Sequence, residues 1–383
     1  MNLKIGIVGL PNVGKSTLFN ALLKRQVAEA ANYPFCTIEP NIGVVEVPDP
    51  RLRVLYDIVS GRGTMHHAPT VGDHIINPKI IPAAVEFVDI AGLVKGASEG
   101  EGLGNNFLSH IRDCQMILEV VRDFSDENVI RAGAVSPEED VKTIKTELIL
   151  KDLETVGNCQ IDKSRKVVLE KLMIGLNQGK LASETTMSEE ELASIKDLQL
   201  LTMKPIVYAR NVDETSVGAS RGSPETSRAG HDQPLQFEQE RELVASKARV
   251  QDEITISAKL ESELSALSPE DQKDYLSQLG LTESGLDRVI RLCYHTLGLQ
   301  TFLTAGPKEV RAWTIKQGDK APAAAGVIHT DFEKGFIAAE VCHYDDYIKL
   351  GGLKNAKEKG LVRTEGKEYV MQGGDVVEFR FNV

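Results

Sequence analysis

The chain has 383 residues, 42% hydrophobic and 26% charged, with a formal net charge of −12. That length allows two or three domains with their own cores, the composition is ordinary for a soluble protein, and the acidic balance argues against nonspecific coating of DNA or RNA. No apolar run approaches a membrane span, and Cys36, Cys114, Cys159, Cys293 and Cys342 contain no CxxC pair, so no membrane partner, disulfide framework or zinc site is expected.

The first element is a short strand in which Leu3, Ile5 and Ile7 alternate into Val8; the chain enters it at once, without a signal or transit segment. A cytoplasmic protein is expected. Gly9-Leu10-Pro11-Asn12-Val13-Gly14-Lys15-Ser16-Thr17 follows, and Leu18, Phe19, Leu22 and Leu23 then recur at helical spacing. Strand, glycine-rich loop and helix in that order are the context a phosphate-binding loop requires. Consecutive N–H groups of such a loop surround a β-phosphate, and Gly9 and Gly14 permit the close approach and the turn. Lys15 brings positive charge to the β- and γ-phosphates, and the Ser16 hydroxyl is placed for Mg²⁺. Asn12, Val13, Gly14, Lys15, Ser16 and Thr17 are the nucleotide-binding candidates here, and Lys15 is also a candidate catalytic group.

Further apolar strands are expected at Gly43 to Val47, Val85 to Asp89, Ile117 to Val121, Ile206 to Ala209 and Ile254 to Ile256, mostly with helical patterns between them. This alternation predicts an α/β fold with a mostly parallel sheet covered on both faces. Gly61 to Pro82 reads as a loop; its His66 and His67 have no carboxylate or cysteine at ligand spacing and are expected in solvent. Asp89-Ile90-Ala91-Gly92 closes a strand, where Asp89 can hold Mg²⁺ through water and the Gly92 N–H can sense a γ-phosphate. Thr37, between the two motifs, is either a second hydroxyl ligand of Mg²⁺ or an ordinary loop threonine.

The gap from Val121 to Ile206 is too long for one crossover helix. Ser136-Pro137-Glu138-Glu139 is a capping box with proline at the first helical position, and Val141, Ile144, Leu148, Leu153 and Val156 follow at helical spacing. A second helical stretch around Val168 to Leu176, and a third opened by the capping box Ser188 to Glu191 with Leu192, Ile195 and Leu198, complete an inserted helical arm with charged outer faces. Ser216 to Pro234 has no apolar period and is expected to be a mobile surface loop. Short strands at Val310 to Ile315, Gly335 to Val341 and Asp375 to Phe381 predict a separate small α+β domain.

Two stretches carry a family resemblance. Asp89 to Asn105, DIAGLVKGASEGEGLGN, resembles the signature of Obg-related GTPases, and with Asn32 to Asn41, NYPFCTIEPN, it is similar to one branch of them, the YchF or Obg-like ATPases. Ala321 to Phe332, APAAAGVIHTDF, and the final GGDVVEF are similar to the TGS pattern. The resemblance covers nearly the whole chain. It implies a P-loop NTPase domain over 1–123 and 201–298, an inserted, coiled-coil-like helical arm over 124–200, and a C-terminal β-grasp TGS domain over 299–383. It also implies a slow, Mg²⁺-dependent ATPase that works as a translation- or stress-associated switch and contacts ribosomes. Lys349, Lys354, Lys357, Lys359, Arg363 and Lys367 are then either a surface for ribosomal RNA phosphates or a solvated lysine-rich loop.

Guanine-specific relatives carry NKxD, whose aspartate accepts two hydrogen bonds from guanine; here the strand end reads Asn211-Val212-Asp213-Glu214. Valine replaces lysine, and the terminal carboxylate is one methylene longer. Mismatched polar groups at a base are costly, so ATP is expected to bind more tightly than GTP. Asn211, Val212 and Glu214 are the base-side candidates, with Ser257 and Ala258, followed by Lys259, closing the other side. Asp213 reading guanine after a one-residue slip, as in an Obg-type GTPase, is the alternative. A ribosome- or RNA-binding adaptor that uses nucleotide only structurally is a third reading. Leu93 occupies the position where many relatives have a water-orienting glutamine, and Arg131 aligns with the histidine of the ATPase branch. Arg131 either neutralises phosphate charge or is a solvated surface residue. Asn12 occurs in relatives that use K⁺, so K⁺ is a second implied ion, the alternative being a hydrogen bond of Asn12 within the loop.

Overall fold

The computed structural model describes residues 3–29, 41–61, 77–90, 109–126, 136–159, 165–217 and 252–382. The strands, in chain order, are β1 (Lys4–Val8), β2 (Ile42–Glu46), β3 (Lys79–Ile81), β4 (Ala84–Asp89), β5 (Met116–Asp123), β6 (Ile206–Val212), β7 (Asp252–Ile256), β8 (Leu299–Ala305), β9 (Glu309–Lys316), β10 (Phe336–Cys342), β11 (Arg363–Glu365) and β12 (Val376–Phe381). Two compact units contain them: Met1–Leu3 with Leu23–Phe87 and Ile290–Val383, and Lys4–Leu22 with Val88–Val289.

In the second unit β1, β5, β6 and β7 run parallel in that order. The end of β4 flanks β1, where the Ile90 N–H donates to the Ile7 carbonyl at 3.2 Å. Seven of the eight residues of β5 are buried, as a central strand covered on both faces requires. β6 continues three residues past the expected Ala209, because its ladder carries on through Arg122↔Asn211 and Asp123↔Val212. Hydrophobic alternation ends before the backbone pairing does, so Asn211 and Val212 are strand residues. The expected surface loop begins instead with a short helix, Glu214–Val217; residues 218–251 lie outside the described ones.

The inserted arm is built from the helices Pro137–Gly157, Lys166–Asn177 and Glu189–Ile195. Ser136 caps the first by accepting the Glu139 N–H, with Pro137 in the first turn. Ser188 and Glu191 form the reciprocal capping box of the third. Ile149, Val156, Val168, Leu172 and Leu176 share one core. The third helix stops at Ile195, short of Leu198; a 3₁₀ turn, Lys196–Leu198, and a left-handed Gln199 (φ 47°) turn the chain instead. Nor is the outer surface uniformly charged, since Val167 and Ile174 are each 60% exposed. The return to β6 is fixed by Asp152, whose fully buried carboxylate accepts the Leu201 and Thr202 N–H groups at 2.8 Å and the Thr202 hydroxyl at 2.6 Å. Burial raises that carboxyl above its ordinary pKa, and these hydrogen bonds oppose the rise.

The first unit contains a mixed sheet in the order β11-β10-β12-β8-β9-β3. Phe302, Trp313, Ala321, Ala325, Phe336 and Val377 form the centre of its core, under the helix Ala321–Ile328. β3 lies inside the stretch expected as a loop: Lys79–Ile81 pairs parallel with β9 through Lys79↔Glu309 and Ile81↔Arg311. Three residues of edge pairing leave no periodicity to detect. The lysine-rich stretch is not one loop: Lys349, Lys354 and Lys357 fall on the helices Tyr344–Leu350 and Leu353–Glu358 and Arg363 on β11, while Lys359 and Lys367 lie in turns, and Lys357 and Arg363 contact Glu378 and Glu365 at 3.4 Å. No described helix is long and apolar enough to cross a membrane.

Candidate nucleotide site

The site is built within the second unit, at the carboxyl ends of its parallel strands, where an open α/β sheet leaves a crevice for ligand. β1 ends at Val8 and the helix Lys15–Glu29 opens immediately after the glycine-rich turn. A Cβ on Gly9 would stand 2.7 Å from the Val120 carbonyl, and one on Gly14, at φ 95°, would stand 2.2 Å from Asn211 Nδ2. Both positions exclude a side chain. Asn12 also has a left-handed backbone, φ 63°, which asparagine tolerates better than most residues.

Lys15 is only 9% exposed. Its Nζ lies 3.4 Å from Asp89 Oδ1 and donates to the Ile90 carbonyl, so the loop's cation and the strand-end carboxylate meet directly. Ser16 and Thr17 are exposed at the start of the helix. Asp89 Oδ1 is a buried oxygen that accepts no hydrogen bond among the described residues. A hydroxyl and a lone carboxylate fit Mg²⁺, which keeps several waters and takes few protein ligands.

Asn211 is buried and joins two loops. Its Nδ2 donates to the Val13 carbonyl at 2.9 Å, and its Oδ1 accepts the Ala258 N–H at 2.8 Å. One Nδ2 hydrogen remains beyond the Val13 bond. Ser257 caps the helix Ala258–Leu264 by accepting the Leu260 N–H, which fixes the turn that presents Ala258. Val212 is buried at the end of β6, and Glu214 Oε1 is 3.0 Å from Lys259 Nζ, an interaction that raises the lysine pKa. Asp213 Oδ2 accepts the Ser125 N–H at 3.3 Å.

The structure thus brings together Asn12 to Thr17, Asp89, Asn211 to Glu214 and the Ser257-Ala258 turn. Thr37, Gly92, Leu93, Arg131, His66 and His67 lie outside the described residues. Ser125 and Arg122 were not among the sequence candidates. Arg122 had one available signal, a basic charge near the end of a mostly apolar strand.

A phosphate loop opening a helix, a strand-end aspartate and an asparagine tying the loop to a second turn define a P-loop nucleotide-binding domain. A family model described as 50S ribosome-binding GTPase matches residues 4–158, and the YchF-GTPase C-terminal model, described as a protein of unknown function, matches residues 299–382. The chain is 48% identical over 397 residues to the Ribosome-binding ATPase YchF of Bacillus subtilis and 46% identical over 396 residues to that of Escherichia coli O157:H7, with 100% of each chain covered. The structure of the Schizosaccharomyces pombe YchF GTPase matches with a TM-score of 0.78 at 34% identity, covering 99% of this chain and 98% of that one. This chain belongs to the YchF family, with an α/β P-loop fold and that family's C-terminal domain.

Proposed function

We propose that this protein is a cytoplasmic, Mg²⁺-dependent ATP hydrolase of slow turnover that binds ATP more tightly than GTP and acts as a ribosome-associated switch. The buried Lys15 at the head of its helix, beside Asp89, is the observation that carries the phosphate chemistry. The bacterial relatives are named ribosome-binding ATPases, which supports the activity and the partner. Lys15 and the loop N–H groups take the β- and γ-phosphates; Ser16, Thr37 and, through water, Asp89 take the Mg²⁺ supplied with the nucleotide. Gly92 senses the γ-phosphate. Arg131 and a K⁺ ion near Asn12 are the proposed sources of further positive charge.

On the base side, Asn211 has a donor left for a purine nitrogen, and Ala258 stands across from it. The S. pombe relative is titled a GTPase, so an Obg-type GTPase is the second reading. ATP is favoured because Asp213, which could read guanine only after a one-residue slip, already accepts the Ser125 N–H, while Glu214, at the position of the guanine-reading aspartate, faces Lys259. We further propose the functional division 1–123 with 201–298, 124–200, and a TGS domain over 299–383, which the C-terminal family match at 299–382 supports.

Equilibrium titration with ATP and GTP, followed by a turnover assay, tests the reading. GTP bound tenfold more tightly than ATP refutes the base preference, and tight ATP binding without turnover leaves the adaptor. For the partner, Lys354→Glu with Lys359→Glu should weaken co-sedimentation with ribosomes in a salt-dependent way; unchanged binding rejects that surface.

A further inference from the structure

Among the described residues of the second unit, Arg122 is a buried cation that the phosphate chemistry leaves unused. It is 4% exposed, and a guanidinium so placed is costly unless its donors are used. In the β5–β6 ladder Arg122 pairs with Asn211, and paired residues of parallel strands project from the same face, so both leave the sheet on the side of the phosphate loop.

The guanidinium folds back onto the turn that follows its own strand. Nε lies 3.4 Å from the Phe124 carbonyl and Nη2 3.4 Å from the Asp126 carbonyl, while its central carbon stands 4.4 Å from the centroid of the Phe124 ring. The same turn is fastened to the neighbouring strand end through the Ser125 N–H and Asp213 Oδ2. Residues 124–126 are thereby held against Asp213, at the end of the strand that carries the base-side candidate Asn211. Only an arginine can donate from two separate nitrogens and present a flat cationic face to a ring at the same time; a lysine at this position keeps the charge and loses the fork.

We propose that Arg122 is a positioning residue for base discrimination: by clamping the Phe124–Asp126 turn against the end of β6, it sets the wall that distinguishes one purine from another. The inference rests on the proposed nucleotide site and leaves phosphate binding to Lys15. Its signature is a split between base-dependent and phosphate-dependent affinity, which a general loss of stability does not produce.

The test is calorimetric titration of the full chain with Mg²⁺ and ATP, GTP or inorganic tripolyphosphate, in wild type, Arg122→Gln, Arg122→Lys and Phe124→Leu. In both arginine variants the ratio of GTP to ATP dissociation constants should move at least fivefold toward one, with tripolyphosphate affinity within twofold of wild type. Phe124→Leu, which removes only the ring face, should move the ratio in the same direction, and it decides the matter if the arginine variants do not fold. An unchanged ratio in folded variants overturns the proposal, as does a parallel loss of tripolyphosphate binding. Wild-type protein that binds neither nucleotide overturns the underlying site as well.

Discussion

Lys15 Nζ stands 3.4 Å from Asp89 Oδ1, so the cation of the phosphate loop and the carboxylate proposed for the magnesium side neutralise each other across the site. A nucleotide with its metal ion gives each a new partner, phosphate for the lysine and hydrated Mg²⁺ for the aspartate. Neither charge is left bare in either state, which keeps the exchange inexpensive despite burial.

Lys15→Ala should therefore lower ATP affinity by about 10- to 100-fold, the value of one or two charge-assisted hydrogen bonds. Leu93→Ala should leave it nearly intact, because leucine has no polar role at a phosphate. Titration of both variants with ATP and Mg²⁺ checks this. Affinity of Lys15→Ala within twofold of wild type would mean that the lysine does not hold the phosphates.

The base preference is tested by restoring the guanine pattern. Val212→Lys with Glu214→Asp shortens the carboxylate that now meets Lys259 and supplies the missing lysine. Preference should shift toward GTP by about tenfold or more, the scale on which paired and unpaired polar edges differ. If the ATP-to-GTP ratio of the double variant matches wild type, base choice lies elsewhere, and the Phe124–Asp126 turn beside Asp213 is the next structure to test.

The phosphate loop was legible from sequence because strand, glycines, lysine and helix are contiguous, and local geometry alone requires them. The arm was legible because serine caps, one of them with proline, mark its first and third helices and apolar spacing marks the second. What escaped were features made by residues far apart in sequence. Asp152 is an unremarkable helix aspartate until Leu201 and Thr202 return to it, and Arg122 is one charge at a strand end until Asp213 fastens the adjoining turn. β3 escaped for a different reason: its strand character comes from β9, not from its own side chains.

Glu119 makes stability depend on pH. It lies in β5 opposite Tyr208, is 2% exposed, and its Oε1 accepts no hydrogen bond among the described residues; burial first, then the charge of Asp140, pushes its pKa well above the ordinary 4.5. Below the unfolded value both states hold the proton and there is no penalty. As pH rises past it the unfolded chain ionises while the native chain does not, so stability falls until the raised native pKa is reached. Glu119→Gln should be more stable than wild type, by a margin that grows as pH rises above the ordinary glutamate range. Urea unfolding at a series of pH values checks it, and a margin independent of pH removes Glu119 as the cause.

The last prediction concerns the charge that makes hydrolysis productive. The proposed K⁺ near Asn12 must be tested without disturbing the loop, and the backbone decides how. Asn12 sits at φ 63°, so Asn12→Ala would combine loss of the amide with backbone strain, whereas Asn12→Gly keeps the left-handed conformation and removes the side chain alone. If Asn12 helps hold the ion, wild-type turnover at saturating Mg²⁺ and ATP should be slower in Na⁺ than in K⁺, and Asn12→Gly should lose that difference while retaining ATP affinity. Removing one electrostatic stabiliser of transferred phosphoryl charge slows the chemical step by about 10²-fold or more, so a genuine ion requirement should be large. Equal wild-type turnover in the two salts eliminates K⁺. Arg131, or a cationic group brought by the partner, is then the remaining source of positive charge, and Arg131→Ala in the presence and absence of ribosomes separates those two.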